Sequence, residues 1–200
     1  MTNEASTILV IMSRVFDYPD YTFYSEYSTI EEHIKNQIST PKIRKEILER
    51  LAPLFTMPFH NLQELYVETF DYKEKTGLYL TAHELGDSRK RGAALINLQN
   101  MIYEAGYENI GKELVDYIPM LFEFLAVATE KEKLIRLEKR LSYAIHRIIN
   151  NLPKENPYHT VMELLMMFVF EVPKSEEITL LENQREEADL EPLPYPMMYQ

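Results

Sequence analysis

Residues 130–152 read EKEKLIRLEKRLSYAIHRIINNL, and their apolar positions decide the class of fold. Leu134, Leu137, Leu141, Ile145, Ile148 and Leu152 recur every three or four residues, while Lys131, Glu132, Arg136, Glu138, Lys139 and Arg140 fall largely off that line. A helix turns once in about 3.6 residues, so the spacing makes one apolar stripe that faces a core. The same recurrence predicts helices over 3–17, 21–39, 41–55, 59–70, 75–85, 88–105, 114–129 and 157–170, and strict alternation is scarce. The reading is all-α: a single helical bundle over 1–172, followed by an acidic, Pro-containing tail over 173–200. Pro19, Pro53, Pro58, Gly86, Gly106, Gly111 and Pro153 fall near the proposed ends. Pro119 lies inside an apolar pattern, so its helix begins later or kinks there.

The tail carries seven acids against two bases, a net charge of about −5. A short helix is expected over 176–188, then an irregular segment whose apolar run Leu193 to Tyr199 could dock on the body or on a partner.

Five Gly and no Cys leave little material for tight β-turns, disulfides or thiolate metal sites, so apolar packing must hold the fold. With 32 acidic and 21 basic residues the net charge is −11, which repels phosphate backbones and argues against nucleic acid as a ligand. A partner rich in Lys or Arg is attracted instead. Residues 1–14 lack the basic region, apolar stretch and cleavage site of a secretory signal, which predicts a cytoplasmic protein. The longest apolar runs fall far short of the roughly 20 residues a membrane helix needs, so no direct membrane insertion is expected.

Chemistry of the usual kinds is missing from the pattern. The glycines never take up a phosphate-loop spacing, and His83-Glu84-Leu85-Gly86-Asp87 has Asp87 where a zinc-binding HExxH helix needs its second His. None of His33, His60, His83, His146 and His159 follows a Glu by three residues, as a di-metal carboxylate bundle requires. The reading is a binding protein with no permanently bound cofactor, and not an enzyme.

Unusual residues concentrate between Leu62 and Phe124. Tyr66 and Phe70 stand one helical turn apart on an apolar face, which serves a core and a peptide groove equally well. Asp87 or Ser88 is a good helix N-cap, yet Arg89, Lys90 and Arg91 then crowd a first turn where the helix dipole disfavours cations. These bases read either as a solvated face or as contacts for an anion or a partner's acidic patch. Further on, Glu113, Asp116 and Glu123 sit among Tyr117, Met120, Phe122 and Phe124. Carboxylates around an apolar surface suit a basic amphipathic helix, although Glu123 reads equally as a structural pairing.

Taken together, Glu64 to Asp71 (ELYVETFD), Leu78 to Thr81 (LYLT) with Gly86 to Gly92 (GDSRKRG), and Glu113 to Pro119 (ELVDYIP) with Leu121 to Phe124 (LFEF) resemble the nitrate reductase assembly chaperones. This is the NarJ family, which stands with the TorD-like chaperones of molybdoenzymes. The resemblance covers about a third of the chain. It implies a helical chaperone that binds the N-terminal peptide of the apo catalytic (alpha) subunit of respiratory nitrate reductase and assists insertion of the molybdenum cofactor. On that reading Tyr66, Phe70, Tyr117, Leu121 and Phe124 line the peptide groove, and Glu113, Asp116 and Glu123 meet the peptide's basic residues. The wider family often shows Glu-Pro-x-Asp-His, whereas here Val115 precedes Asp116 and Tyr117 replaces the His. Two rival readings are a binder of an anionic pterin cofactor through Arg89 and Arg91, and a scaffold whose acidic tail recruits a basic partner.

Overall fold

A computed structural model describes residues 1–129, 131–176 and 178–179. Among these residues nine helices form: α1 (Asn3–Val15), α2 (Tyr27–Gln37), α3 (Pro41–Thr56), α4 (Phe59–Phe70), α5 (Leu80–Leu85), α6 (Lys90–Glu104), α7 (Ile118–Val127), α8 (Lys131–Asn151) and α9 (Pro157–Phe168). The α8 stripe is buried from Leu134 to Leu152. Each such side chain adds about 1.5–3 kcal/mol of burial free energy, far more than helix propensity supplies.

One continuous apolar core runs from Ile8 to Phe170. Its axis is α1, whose most extensive neighbour is α7, while α9 packs on α1, α3 and α8. Helix α7 suits this place because Ile118, Leu121, Phe122, Phe124 and Leu125 bury a wide face of it, leaving Glu123 and Val127 to the surface. Helix starts are tied to other elements. The Thr2 hydroxyl accepts from the Ala5 N–H at 3.1 Å, and the Glu4 carboxylate accepts from the backbone of Ser39 and Thr40 at 2.8 and 3.0 Å. Those bonds, led by the one from the Ser39 hydroxyl, hold the Glu4 carboxyl below its ordinary pKa. Asn156 caps α9 on the Tyr158 N–H at 2.9 Å and donates to Thr69 Oγ1 at 2.8 Å, so the start of α9 locks the end of α4.

The structure departs from the sequence expectation in three places, and at Pro119 it takes the later helix start that was one of the two expected outcomes. Helix α2 begins at Tyr27 instead of residue 21. Asp20 folds back on the Thr22 N–H, and the Arg14 guanidinium gathers Asp20, Thr22 and Glu26, which holds 20–26 in turns. Helix α7 begins at Ile118 with Pro119 in its first turn, where a missing N–H costs nothing. Pro53 lies inside α3, one turn before its end. The expected helix over 75–85 shrinks to α5, because residues 78–80 pair with 116–118 instead: Leu80 N–H donates to Asp116 O and Ile118 N–H to Leu78 O, both at 2.9 Å. Tyr79 and Tyr117 form this isolated antiparallel bridge. The tail helix expected over 176–188 falls mostly outside the described residues. No helix among the described residues is long and apolar enough to cross a membrane.

Candidate functional site

The bridge between Tyr79 and Tyr117 brings three loops together, and between them opens a cleft of about 840 Å³. The end of α4 supplies Phe70, Asp71 and Tyr72. The following turn supplies Lys73, Glu74 and Gly77, and the bridge supplies Tyr79. Ala82, Gly86 and Asp87 come from α5 and its exit, Arg91 from α6, and Leu114 from the loop before α7.

Each wall has a local reason for its shape. Gly77 N–H closes a turn on Lys73 O at 2.9 Å. A Cβ on Gly77 would stand 2.6 Å from that same oxygen, so only Gly fits. The turn is then fastened from behind. His83, fully buried on α5, places Nε2 2.7 Å from Gly77 O, and its Nδ1 lies 3.1 Å from Nη1 of Arg147. A carbonyl only accepts and a guanidinium only donates, so the ring is neutral, with its proton on Nε2. Arg147 also donates to Glu74 O at 3.1 Å. Gly86 ends α5 at φ 53°, a conformation open to glycine, and this redirects the chain into Asp87. Glu84 on α5 and Arg140 on α8 pair through two bonds of 2.6 and 2.7 Å, fixing this layer to the bundle.

Beneath the cleft lies Asp116, whose side chain is 0 % exposed. Its Oδ2 accepts from the backbone N–H of Thr81 at 3.1 Å and from the Thr81 hydroxyl. Arg91 donates from Nε to Thr81 Oγ1 at 3.1 Å and holds Nη2 3.7 Å from Asp116 Oδ2. Asp116 Oδ1 is buried and has no hydrogen-bond partner. Asp116 and Thr81 thus fix the guanidinium that forms part of the cleft wall.

Of the residues singled out in the sequence, Phe70, Asp87 and Arg91 line the cleft. Glu113 is not among the lining residues but touches one of them, its Oε2 accepting from the Tyr79 hydroxyl at 2.6 Å. Burial first, and then this carboxylate, push the Tyr79 phenol above its ordinary pKa. Tyr66, Phe70, Tyr117, Leu121 and Phe124, expected along a groove, are core residues, of which Phe70 also borders the cleft, and Asp116, expected to meet the peptide's basic residues, is fully buried. The reason is that an apolar helical face has the same period whether a neighbouring helix or a ligand covers it. Tyr66 and Tyr117 set their hydroxyls 3.0 Å apart. The Phe16 carbonyl lies 3.2 Å from the first and the Asp17 carboxylate 3.2 Å from the second, so each proton has an acceptor. Burial raises both phenols, Tyr117 also through Tyr66 beside it. Arg89, Lys90 and Glu123 are exposed and are not among the lining residues.

Asp71, Tyr72, Glu74, Tyr79 and Leu114 join the site without having been singled out. Two of them, Tyr79 and Leu114, sit in stretches expected to be helical over 75–85 and 114–129, whereas Asp71, Tyr72 and Glu74 lie in the expected join between helices. Gly77 was the available signal, since a glycine inside a proposed helix marks a weak point. Lining acids Asp71, Glu74 and Asp87 outnumber the bases Lys73 and Arg91. The arrangement offers aromatic and aliphatic surface bordered by carboxylates, which favours a cationic, partly apolar ligand. No group of three or more His, Cys, Asp or Glu capable of holding a metal ion occurs among the described residues.

No family model matches the chain. Curated relatives do. The chain is 31% identical over 141 residues to the probable nitrate reductase molybdenum cofactor assembly chaperone NarJ of Bacillus subtilis, an alignment covering 70% of this chain and 76% of that protein. It is 34% identical over 125 residues to the nitrate reductase molybdenum cofactor assembly chaperone NarJ of Escherichia coli K12, covering 62% of this chain and 53% of the relative. A third relative, the probable assembly chaperone NarW of the same strain, is 28% identical over 154 residues, or 72% of this chain and 65% of its own length.

Proposed function

The chain belongs to the nitrate reductase molybdenum cofactor assembly chaperones, and we propose that its cleft holds the N-terminal peptide of the apo catalytic (alpha) subunit of respiratory nitrate reductase. The observation that carries this reading is the lining itself: Phe70, Tyr72, Tyr79 and Leu114 beside Asp71, Glu74 and Asp87. A short amphipathic helix lays its apolar face on the first group and its Lys or Arg against the second, with Glu113 beside Tyr79. Tyr66, Asp116, Tyr117, Leu121 and Phe124 act from beneath, by setting the position of the walls.

On this reading the protein works in the cytoplasm as a chaperone and not as an enzyme, and it keeps no cofactor of its own. Occupying the peptide keeps the catalytic subunit open to molybdenum cofactor insertion before the enzyme is completed. Calorimetric titration of the full chain with the synthetic N-terminal peptide tests the central step. Saturable one-to-one binding that weakens as salt rises is the expected result. No heat at either low or high salt, or binding that survives loss of the Tyr79 and Leu114 side chains, overturns it.

A further inference from the structure

Tyr72 is the only non-glycine residue with positive φ among those described, at φ 53°, and its side chain is completely exposed at 105 % of the reference value. Either property alone is ordinary at a turn. Together they are costly, because L side chains other than Asn and Asp crowd the backbone in this region, and an aromatic ring in water gains nothing from burial. Among the described residues the ring takes part in none of the hydrogen bonds or ring contacts, although fourteen aromatic pairs brace the rest of them. A Gly or Asn at this point makes the same turn with less strain. Yet the residue lines the cleft, between Asp71 and Lys73 and close after Phe70. Strain kept in a residue that the fold does not use belongs to a ligand.

We infer that Tyr72 is the specificity-determining anchor of the cleft: its ring closes over the apolar face of the bound peptide helix, and the exposed carboxylate of Asp71 engages a Lys or Arg that flanks that face. The inference rests on the peptide-binding reading of the cleft. An exposed aromatic with two side-chain torsions loses little freedom on docking and covers a large area, which is the usual makeup of a dominant contact. A guanidinium on the peptide also finds the ring face available.

Titration of the full chain with the synthetic N-terminal peptide, in parallel for wild type, Tyr72→Gly and Tyr72→Phe, tests this, with a thermal melt of each protein. Tyr72→Gly is expected to raise the melting temperature and to weaken binding by about tenfold or more. Tyr72→Phe is expected to keep both values near wild type, since ring and backbone strain remain. Wild-type affinity in Tyr72→Gly overturns the anchor while leaving the cleft's function standing. A lower melting temperature in Tyr72→Gly also overturns it, because the ring then serves the fold. Absence of binding by the wild type itself overturns the peptide reading and the anchor with it.

Discussion

Asp116 receives both the backbone N–H and the hydroxyl of Thr81, so a fully buried carboxylate ties the first turn of α5 to the residue two before α7. The same oxygen faces Arg91. Removing the carboxylate leaves the Thr81 donors and a partly buried cation without their acceptor. Asp116→Ala is expected to cost roughly 2–4 kcal/mol in urea unfolding, and Thr81→Val roughly 1–2 kcal/mol. The double variant should cost less than the sum, since both changes break one network.

Gly77 is held where its missing Cβ would press on a backbone oxygen that cannot retreat without opening the turn. Gly77→Ala should therefore lower stability by about 1–3 kcal/mol, visible as a lower melting temperature. Because Lys73, Glu74 and Gly77 also wall the cleft, peptide affinity should fall in the same variant.

Phe124 and Leu121 are core residues, whereas Glu123 between them faces water. Phe124→Ala should cost about 3–5 kcal/mol and Leu121→Ala about 2–5 kcal/mol. Glu123→Gln should change stability by no more than about 0.5 kcal/mol. Denaturant midpoints for the three variants check the assignment, and equal midpoints would contradict it.

Alkaline pH should unfold the protein through its phenols. Burial raises Tyr66, Tyr117 and Tyr158 above the ordinary tyrosine value. Above about pH 10 an unfolded chain releases these protons while the native protein keeps them, so the native state binds more protons and its stability falls as pH rises. Below that point their contribution is fully present. Tyrosinate absorbance should show these phenols ionising together with loss of helical signal; ionisation with the helices intact would refute the linkage.

Asp71 and Asp87 are exposed on the cleft wall, where charge steers an incoming cationic peptide more than it holds one. Asp71→Asn combined with Asp87→Asn should slow association several-fold and flatten its salt dependence, with the dissociation rate much less changed. Stopped-flow mixing with a labelled peptide measures both rates.

The bundle was largely legible because its information is local. The stripe from Leu134 to Leu152 repeats at the period of the helix it forms, and every member is buried. The cleft was not, because its information is relational. Leu78 to Leu80 leave the helical path only because residues 116–118 offer them acceptors and donors, and nothing between 75 and 85 except Gly77 announces that partner. Periodicity likewise found the apolar faces of Tyr66, Leu121 and Phe124 but could not say what covers them. The loops quoted for family resemblance supply part of the cleft wall, through Gly86, Asp87, Arg91 and Leu114. Selecting residues within those loops by size and charge favoured the buried ones.

A single bridge, closed by the amides of Leu80 and Ile118, supplies the backbone pairing between residues 78–80 and 116–118, where an extended sheet would have used many such bonds, and side-chain ties such as Thr81–Asp116 reinforce it. Two hydrogen bonds of that kind can part while the bundle around α1 and α7 stays folded. The amides of Leu80 and Ile118 should therefore exchange with solvent deuterium ahead of those inside the long helices, and on the peptide-binding reading a peptide that fills the cleft should slow that exchange.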